Sequence, residues 1–285
     1  MTEQWTVGRV LSWTTERFER EGIDSARLEA QVLIASVLSC ERILLYAKYE
    51  QPLASEERGR IRALITERLA GQPLAYLVGE KEFWSIRLQV DSRVLIPRGD
   101  TETLVESVLA LKLPDKSRVL ELGTGSGAVC ISLAKELPHC EFVATDISSD
   151  ALDVARGNAV RNQVDERVEY RQGDLYGVLG DGEKFNAIVA NLPYIESAEI
   201  ETLAKEVQAE PLLALDGGAD GLKLIRRAVA DGREFLEAGG RICLEHGNEQ
   251  GHAVRDIFAK SGFNAETRAD LAGQPRVTVG RQELT

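Results

Sequence analysis

The sequence predicts an α/β fold: a mostly parallel sheet covered by helices on both faces, preceded by a small helical bundle and a short β-hairpin. From Ser117 onward, apolar runs that read as strands alternate with helical periodicities, the pattern of a parallel sheet with crossover helices. The first 75 or so residues carry only helical spacing. Between the two, Glu82–Val90 has β-type content with partial alternation. The expected division is a helical bundle at 1–75, a hairpin linker at 76–97 and the larger domain at 98–285.

In chain order, Val7, Val10, Leu11 and Phe18 recur at helical spacing. Asp24 reads as the N-cap of a second helix whose apolar face is Leu28, Val32, Leu33, Ala35 and Val37. Ile43–Tyr46 form a short third element. A fourth helix starts at Ser55 with an acidic first turn, Glu56 and Glu57, and ends at Gly71-Gln72-Pro73. A loop, Ile96-Pro97-Arg98-Gly99-Asp100-Thr101-Glu102, leads into a helix through Leu104, Val105, Val108 and Leu109. Strands follow at Val119–Leu122, Phe142–Thr145, Val168–Tyr170, Phe185–Ala190, Arg241–Glu245, Phe263–Thr267 and Arg276–Val279. Helices fall between them at Val129–Leu137, Asp150–Asn162, Leu222–Leu236 and His252–Ser261.

Composition narrows the functional classes. The chain has 285 residues, 44% hydrophobic and 28% charged, values of an ordinary globular protein. It has no uncharged apolar run of ~18 residues, so no membrane span is expected. Met1-Thr2-Glu3-Gln4-Trp5 lacks the basic start and apolar core of a signal peptide, which leads to an expectation of a cytoplasmic protein. Cys40, Cys130, Cys140 and Cys243 are scattered and form no CxxC pair, as reduced core thiols do. His139, His246 and His252 have no metal-ligand spacing, so no metal site is expected. The net charge of −12 disfavours stable binding to nucleic acid, because phosphates are gripped largely by Lys and Arg.

The stretch with the most chemistry is Ala187-Ile188-Val189-Ala190-Asn191-Leu192-Pro193-Tyr194. An apolar run of this kind reads as a buried parallel strand, and ligand groups of open α/β sheets sit just past the carboxyl ends of such strands. Asn191 can both accept and donate a hydrogen bond. Pro193 locks its own φ and pushes Leu192 toward extended backbone. A planar NH2-bearing substrate could lie on the Tyr194 ring and donate to Asn191 and to the Leu192 carbonyl. A second cluster is Gly123-Thr124-Gly125-Ser126-Gly127, between a strand and a helix, where glycines permit a tight turn and close ligand approach. Its G-x-G-x-G spacing departs from the dinucleotide fingerprint, and it lacks the Gly-Lys-Ser/Thr of a phosphate loop. Asp146 ends the next strand, where an acid can bond ribose hydroxyls, although an acid there can also cap the following helix, a role for which Ser148 competes. Asp174, after the third strand, can accept from an exocyclic amino group. These groups occupy consecutive strand ends in the order a nucleoside requires.

Glu121-Leu-Gly-Thr-Gly-Ser-Gly, Asp146, Asp174 and Asn191-Leu-Pro-Tyr together resemble a class I S-adenosylmethionine-dependent methyltransferase. The tetrapeptide is similar to the [D/N]-P-P-Y signature of amino- and amide-nitrogen methylation. Further stretches resemble the HemK-type family of release factor glutamine methyltransferases: Ala26-Arg-Leu-Glu-Ala, Gln72-Pro-Leu-Ala-Tyr-Leu-Val-Gly-Glu, Val94-Leu-Ile-Pro-Arg, Glu210-Pro-Leu-Leu-Ala-Leu-Asp-Gly-Gly-Ala-Asp-Gly-Leu and Asp270-Leu-Ala-Gly. The resemblance spans nearly the whole chain. It implies a seven-stranded Rossmann-like methyltransferase domain, with the helical bundle binding the substrate. It also implies S-adenosylmethionine as cofactor, held by Gly123, Thr124, Gly125, Ser126, Gly127, Asp146, Asp174, Leu175 and Asn191. The implied partner is the Gly-Gly-Gln domain of a peptide chain release factor. Asn191, Leu192, Pro193, Tyr194, Arg98 and Glu102 are the implied substrate residues, with Asn191, Pro193 and Tyr194 catalytic.

Two stretches depart from the family pattern. Leu192 stands where the family has a second proline, which keeps the carbonyl acceptor but gives up a fixed φ. Gly99 and Asp100 stand in a loop that usually reads Ile-Pro-Arg-Pro-Glu-Thr-Glu. Asn-Leu-Pro-Tyr also occurs in adenine dimethyltransferases of ribosomal RNA. An adenine amino-group methyltransferase acting on nucleic acid is therefore the alternative reading, set against the acidic charge.

Overall fold

The computed structural model describes residues 4–282; Met1–Glu3, which belong to the stretch read for a signal peptide, lie outside them. The chain divides into two compact units, Met1–Gly79 with Ala204–Ala209, and Glu80–Leu203 with Glu210–Thr285.

The first unit is helical: α1 (Val7–Arg20), α2 (Ala26–Val37), α3 (Leu44–Ala47), α4 (Ser55–Leu69) and α5 (Leu74–Val78). Thr6 caps α1, its Oγ1 accepting from the Arg9 N–H at 3.4 Å. The buried face of α1 carries Val7, Val10, Leu11 and Phe18, the periodic set of the sequence. In α2 the cap position belongs to Ser25, not Asp24, and the buried stripe is Ala26, Ala30, Leu33, Ile34 and Val37. Ala35 and Val37 of the expected face are buried, whereas Leu28 is exposed and Val32 only half-buried. At 100° per residue Leu28 lies nearly opposite Ala26, so small alanines rather than the larger Leu28 mark the core side. Gly8 is required by close approach: a Cβ there would fall 2.3 Å from the Tyr49 ring. Arg68 is buried and bonded to Glu29 at 2.6 Å and to Glu206 at 2.9 Å, tying residues 204–209 to this unit. The short α5 lies partly in a stretch expected to be linker.

The second unit opens with an antiparallel hairpin of β1 (Glu80–Phe83) and β2 (Ile86–Gln89), paired from Glu80↔Gln89 to Phe83↔Ile86. Its two turn residues, Trp84 and Ser85, have φ of 49° and 57°. A two-residue hairpin turn requires left-handed backbone, which normally selects Asn or Gly. Here Glu102 compensates by accepting from the Trp84 backbone N–H at 2.9 Å. Then follow α6 (Glu102–Leu109), β3 (Arg118–Leu122), α7 (Ala128–Glu136), β4 (Glu141–Asp146), α8 (Ser149–Arg161), β5 (Val168–Gln172) and β6 (Phe185–Ala190). After α9 (Lys205–Gln208), which belongs to the first unit, come α10 (Lys223–Gly232), β7 (Leu236–Glu245), α11 (Gly251–Lys260), β8 (Phe263–Ala269) and β9 (Pro275–Gln282).

These strands form one seven-stranded sheet in the order β5-β4-β3-β6-β7-β9-β8. The first five are parallel; β9 runs antiparallel to β7, and β8 to β9. Alternate residues feed opposite cores. Val119, Phe142 and Val189 pack with α6, α7 and α8 on one face, while Leu120, Ile188 and Ile242 pack with α10 and α11 on the other. Both faces being covered, the central strands read as continuous apolar runs. The chain leaves β3 toward β4 and β5, then returns to β6 on the other side of β3, so the order reverses between β3 and β6. A crevice forms at such a reversal, outside the carboxyl ends of the strands.

One boundary differs from expectation. The helix expected to reach Leu236 stops at Gly232, and β7 begins at Leu236 rather than Arg241. A Cβ at Gly232 would fall 2.6 Å from the Tyr176 hydroxyl and 2.7 Å from Ile242, so the backbone passes the sheet closely. A single 3-10 turn, Arg233–Phe235, separates helix from strand, and the pairing shifts register between Phe185 and Ala187.

Asn158, fully buried in α8, joins this framework to the glycine turn. Its Nδ2 donates to the carbonyls of Gln89 and Ser126, each at 2.9 Å, and its Oδ1 accepts from the Gln89 N–H at 2.7 Å. Asn158→Ala leaves the buried Ser126 carbonyl and the Gln89 backbone without this partner and should cost about 1–3 kcal/mol. Urea denaturation measures this; an unchanged midpoint would show that water replaces the side chain freely.

Candidate active site

The cavity lies at the carboxyl ends of β3, β4 and β6 and is lined by the turn after β3, by Asp146, by Asp174 and Leu175, and by Asn191, Leu192 and Pro193. The three glycines of the turn have left-handed φ for three different reasons. Gly125 (φ 54°) faces open space, so only its conformation excludes a side chain. A Cβ on Gly127 (φ 81°) would lie 2.8 Å from Ile131 and 3.3 Å from Ala155, between α7 and α8. On Gly123 (φ 69°) it would meet Leu192 Cδ2 at 3.1 Å. Leu192 thus packs directly on the turn and is itself buried. The Thr124 and Ser126 side chains are buried as well.

Carboxylates surround this turn. Asp146 Oδ2 accepts from the Gly125 N–H and Oδ1 from the Ser148 N–H, both at 2.9 Å. Burial raises its pKa, and these backbone bonds oppose the rise. The cap of α8 belongs to Ser148, whose Oγ accepts from the Ala151 N–H at 3.1 Å. Asp174 lines the cavity while its carboxylate takes two bonds from Arg227, at 2.8 and 3.2 Å. Leu175 beside it holds φ at 51°, an uncommon backbone for a branched residue and one concentrated at functional sites. Glu121, next to last in β3, lines the cavity too. Desolvation pushes its carboxyl up to about 8, against a short hydrogen bond from the Thr124 hydroxyl and with added repulsion from Asp146.

On the acceptor side, Asn191 Nδ2 donates to Thr101 Oγ1 at 3.1 Å, which leaves Asn191 Oδ1 to face elsewhere. The backbone of Pro193-Tyr194-Ile195 is clasped by residues 215–221. The Ile195 N–H donates to Leu215, the Gly217 N–H to Ile195, and the Ser197 N–H to Gly218. A Cβ at Gly217 would lie 2.8 Å from the Pro193 carbonyl, and one at Gly221 2.2 Å from the Tyr194 carbonyl. Gly217 and Gly221 are therefore set by backbone contact with the acceptor motif. The Tyr194 carbonyl also accepts from Gln250 Nε2 at 3.0 Å.

The structure brings Arg98, Thr101, Asn191, Leu192 and Pro193 to the cavity wall together with the glycine turn, Asp146, Asp174 and Leu175. Three sequence candidates stand off it: Gly127, which packs between α7 and α8, Tyr194 and Glu102. Tyr194 is half-buried beside the wall, its hydroxyl 3.3 Å from Glu245 Oε1. Glu102 serves the hairpin turn. Arg98 pairs with the buried Glu210, which also accepts from the Ile96 N–H at 2.9 Å and so shapes the 96–98 loop. Of the residues that depart from the family pattern, Gly99 faces open space, and Asp100 pairs with Arg276 at 3.1 Å. Sequence reasoning gave no role to Glu121, Glu210, Glu245 or Thr101. Glu121 and Glu245 carried a usable signal, an acid at the carboxyl end of an otherwise apolar strand; Thr101 carried none.

The sheet order, the glycine turn after β3 and the acid that ends β4 define a class I methyltransferase fold. Solved structures agree at the level of fold: a methyltransferase from Pyrococcus furiosus (TM-score 0.53, 18% identity, 81% of this chain and 100% of that one) and a ribosomal protein L11 methylase from Lactobacillus delbrueckii (TM-score 0.52, 17% identity, 69% and 86%). Residues 9–79 match the family description "PrmC N-terminal domain" and residues 100–219 "Methyltransferase small domain". Proteins named release factor glutamine methyltransferase are similar over nearly the full chain. That of Geobacter sulfurreducens is 40% identical over 286 residues, 99% of each chain, and that of Moorella thermoacetica 42% over 274 residues, 95% and 96%. The chain belongs to the release factor glutamine methyltransferase family.

Because the Glu121 carboxyl is raised from an ordinary value of 4.5 to about 8, it binds its proton more tightly in the folded chain. Its contribution to stability is fully present below the unfolded value and is lost as pH rises through about 8. Glu121→Gln removes that dependence. Thermal unfolding should show the variant gaining on the parent between pH 5 and 9, whereas parallel profiles would reject a buried, titrating Glu121.

Proposed function

We propose that this chain transfers a methyl group from S-adenosylmethionine to the side-chain amide nitrogen of the glutamine in the Gly-Gly-Gln motif of peptide chain release factors. The observation that carries the reading is Asn191 beside the glycine turn, its Nδ2 already committed to Thr101. Asn191 Oδ1 and the Leu192 carbonyl then serve as two acceptors for the two hydrogens of a primary amide. Holding both hydrogens turns the amide nitrogen's remaining face away from the protein and into the cavity. Pro193 fixes the backbone between these acceptors and Tyr194. Among the described residues that line the cavity there is no histidine, lysine or cysteine. Catalysis is assigned to positioning, worth roughly 7–11 kcal/mol in favourable cases.

The wall fits the proposed cofactor. Glu121 is a buried and Asp146 a half-buried carboxylate, desolvation disfavours the charge of both, and a cationic ligand rich in hydroxyls relieves that cost. The left-handed glycine turn admits such a ligand close to the backbone. When bound, S-adenosylmethionine supplies a methyl group on a positively charged sulfur. Gly123–Gly127, Asp146, Asp174, Leu175 and Asn191 are the residues assigned to hold it.

We assign residues 1–75 to recognition of the release factor, residues 76–97 to linkage, and residues 98–285 to methyl transfer. Trp13, Leu28 and Ile43 leave substantial apolar surface exposed on the helical unit, which suits a protein partner. The net charge of −12 suits that partner better than RNA or DNA. No helix of the described residues is long and apolar enough to cross a membrane. We assign the enzyme to the cytoplasm, where release factors work.

Two variants separate the cofactor wall from the acceptor wall. Asp146→Ala should weaken S-adenosylmethionine binding at least tenfold by calorimetry, since a hydrogen bond to a charged group contributes about 1.5–3 kcal/mol. Asn191→Ala should weaken that binding less than Asp146→Ala does and lower turnover on release factor by about a hundredfold or more. Near-normal turnover by Asn191→Ala would reject the positioning mechanism.

A further inference from the structure

Glu245 is a carboxylate that neither the fold nor the cofactor wall requires. It ends β7, where Leu244 pairs with Ala190, the residue before Asn191. It is buried, yet its Oε2 has no hydrogen-bond partner among the described residues. Tyr194 donates its hydroxyl to Oε1 at 3.3 Å. Thr101 sits near the same carboxyl: its neighbour Asp100 pairs with Arg276, which precedes Val277, the residue opposite Glu245 in the sheet; Thr101 favours the ionised form. Thr101 Oγ1 in turn accepts from Asn191 Nδ2 at 3.1 Å. Asn191–Thr101 and Tyr194–Glu245 are therefore two hydrogen-bonded pairs at adjacent strand ends, each holding one residue of the acceptor motif.

We propose that Glu245 is a positioning residue for methyl transfer: its carboxylate takes the hydroxyl hydrogens of Thr101 and Tyr194, and through Thr101 it keeps Asn191 Oδ1 turned toward the acceptor amide. The inference rests on the methyl-transfer reading above and adds what sets the polarity of its central residue. A threonine hydroxyl has one hydrogen and two lone pairs. Once that hydrogen is committed to a carboxylate, Thr101 can only accept from Asn191. Asn191 must then present its NH2 to Thr101 and its carbonyl to the opposite side. An amide turned the other way would offer N–H groups to the substrate's own N–H groups and would repel it. A protonated Glu245 loses this grip. Its own O–H can donate to Thr101, whose hydrogen is then free to point at Asn191 and favour the flipped amide.

The groups that face the carboxyl set when this happens. Desolvation pushes Glu245 up to about 7, the hydroxyls of Thr101 and Tyr194 and the nearby Arg276 of β9 pull it down, and Asp100 pushes it up. Arg276 is shared with Asp270 and Asp100, both at 3.1 Å, so its help is divided. The orienting form of Glu245 is thus the ionised one, favoured as pH rises through neutrality.

The test compares the parent chain, Glu245→Gln, Thr101→Val and the double variant on purified release factor, with S-adenosylmethionine affinity measured separately. Glu245→Gln keeps the size of the side chain but has one acceptor oxygen and a donor in place of the other, as the protonated acid does. The expected result is a loss of at least tenfold in kcat at pH 8 for each single variant, with cofactor Kd within twofold. The parent's kcat should climb from pH 6 to pH 8, and the Glu245→Gln profile should be flat. The double variant should be no worse than the poorer single one, because both changes cut the proposed link between Glu245 and Asn191. Parent-like kcat and pH profile in Glu245→Gln, or losses that multiply in the double variant, would overturn the proposal. If Glu245→Gln does not fold, the Thr101→Val measurements decide alone, with an unchanged kcat overturning it. A parent chain that binds S-adenosylmethionine but leaves release factor unmethylated overturns the proposed function itself, a separate outcome from an unaffected variant.

Discussion

The site depends on one pairing, that of β3 with β6. The two strands run parallel and end level, Leu122 opposite Ala190, although they are separated by β4, β5 and their helices in the chain. That register puts Gly123 and Asn191 immediately past adjacent strand ends. It also lets Leu192 lie over Gly123 with only 3.1 Å to where a Cβ would stand. A slip of one residue would turn the apolar side chains of β6 to the wrong face, so the buried cores on both sides of the sheet fix the register that the site needs. The hairpin, Asn158 and the clasp at 215–221 then hold the loops that extend from it.

The acids at the strand ends are placed at a cost to stability. Glu121, next to last in β3, and Glu245, last in β7, lie in surroundings dry enough to hold them partly protonated near neutrality. Glu210 is equally buried but is paired with Arg98 and bonded to the Ile96 N–H, as a structural charge should be. The contrast separates acids that brace a loop from acids left incompletely compensated. Incomplete compensation of this kind is a mark of groups that act on something else.

Much of this architecture could be read from the residues. Seven apolar runs and their helices gave the sheet, and the punctuation at Gly123–Gly127, Asp146 and Asn191-Leu-Pro-Tyr stood where strands end. What could not be read depends on partners distant in the chain. Thr101 and Asn191 are 90 residues apart, Tyr194 and Glu245 51, and nothing local in either member announces the contact. The α10–β7 boundary was misplaced because helical spacing continues past Gly232, and only the approach of Tyr176 and Ile242 reveals why the helix must stop. The core face of α2 was misjudged for a related reason: its stripe is built partly of alanines, while the larger Leu28 faces solvent. Leu192 looked like a loss of loop rigidity, whereas its side chain has a packing role on the glycine turn that a proline ring would fill differently.

We propose that Asn191 and the Leu192 carbonyl hold a glutamine amide and not an adenine amino group. The most direct measurement incubates the full chain with isotopically labelled S-adenosylmethionine and, in parallel, release factor, ribosomal RNA and DNA, then maps the label by tandem mass spectrometry. The expected product is a single methyl group on the side-chain nitrogen of the Gly-Gly-Gln glutamine, with none on either nucleic acid. Methylated adenine with an unmodified release factor would contradict it.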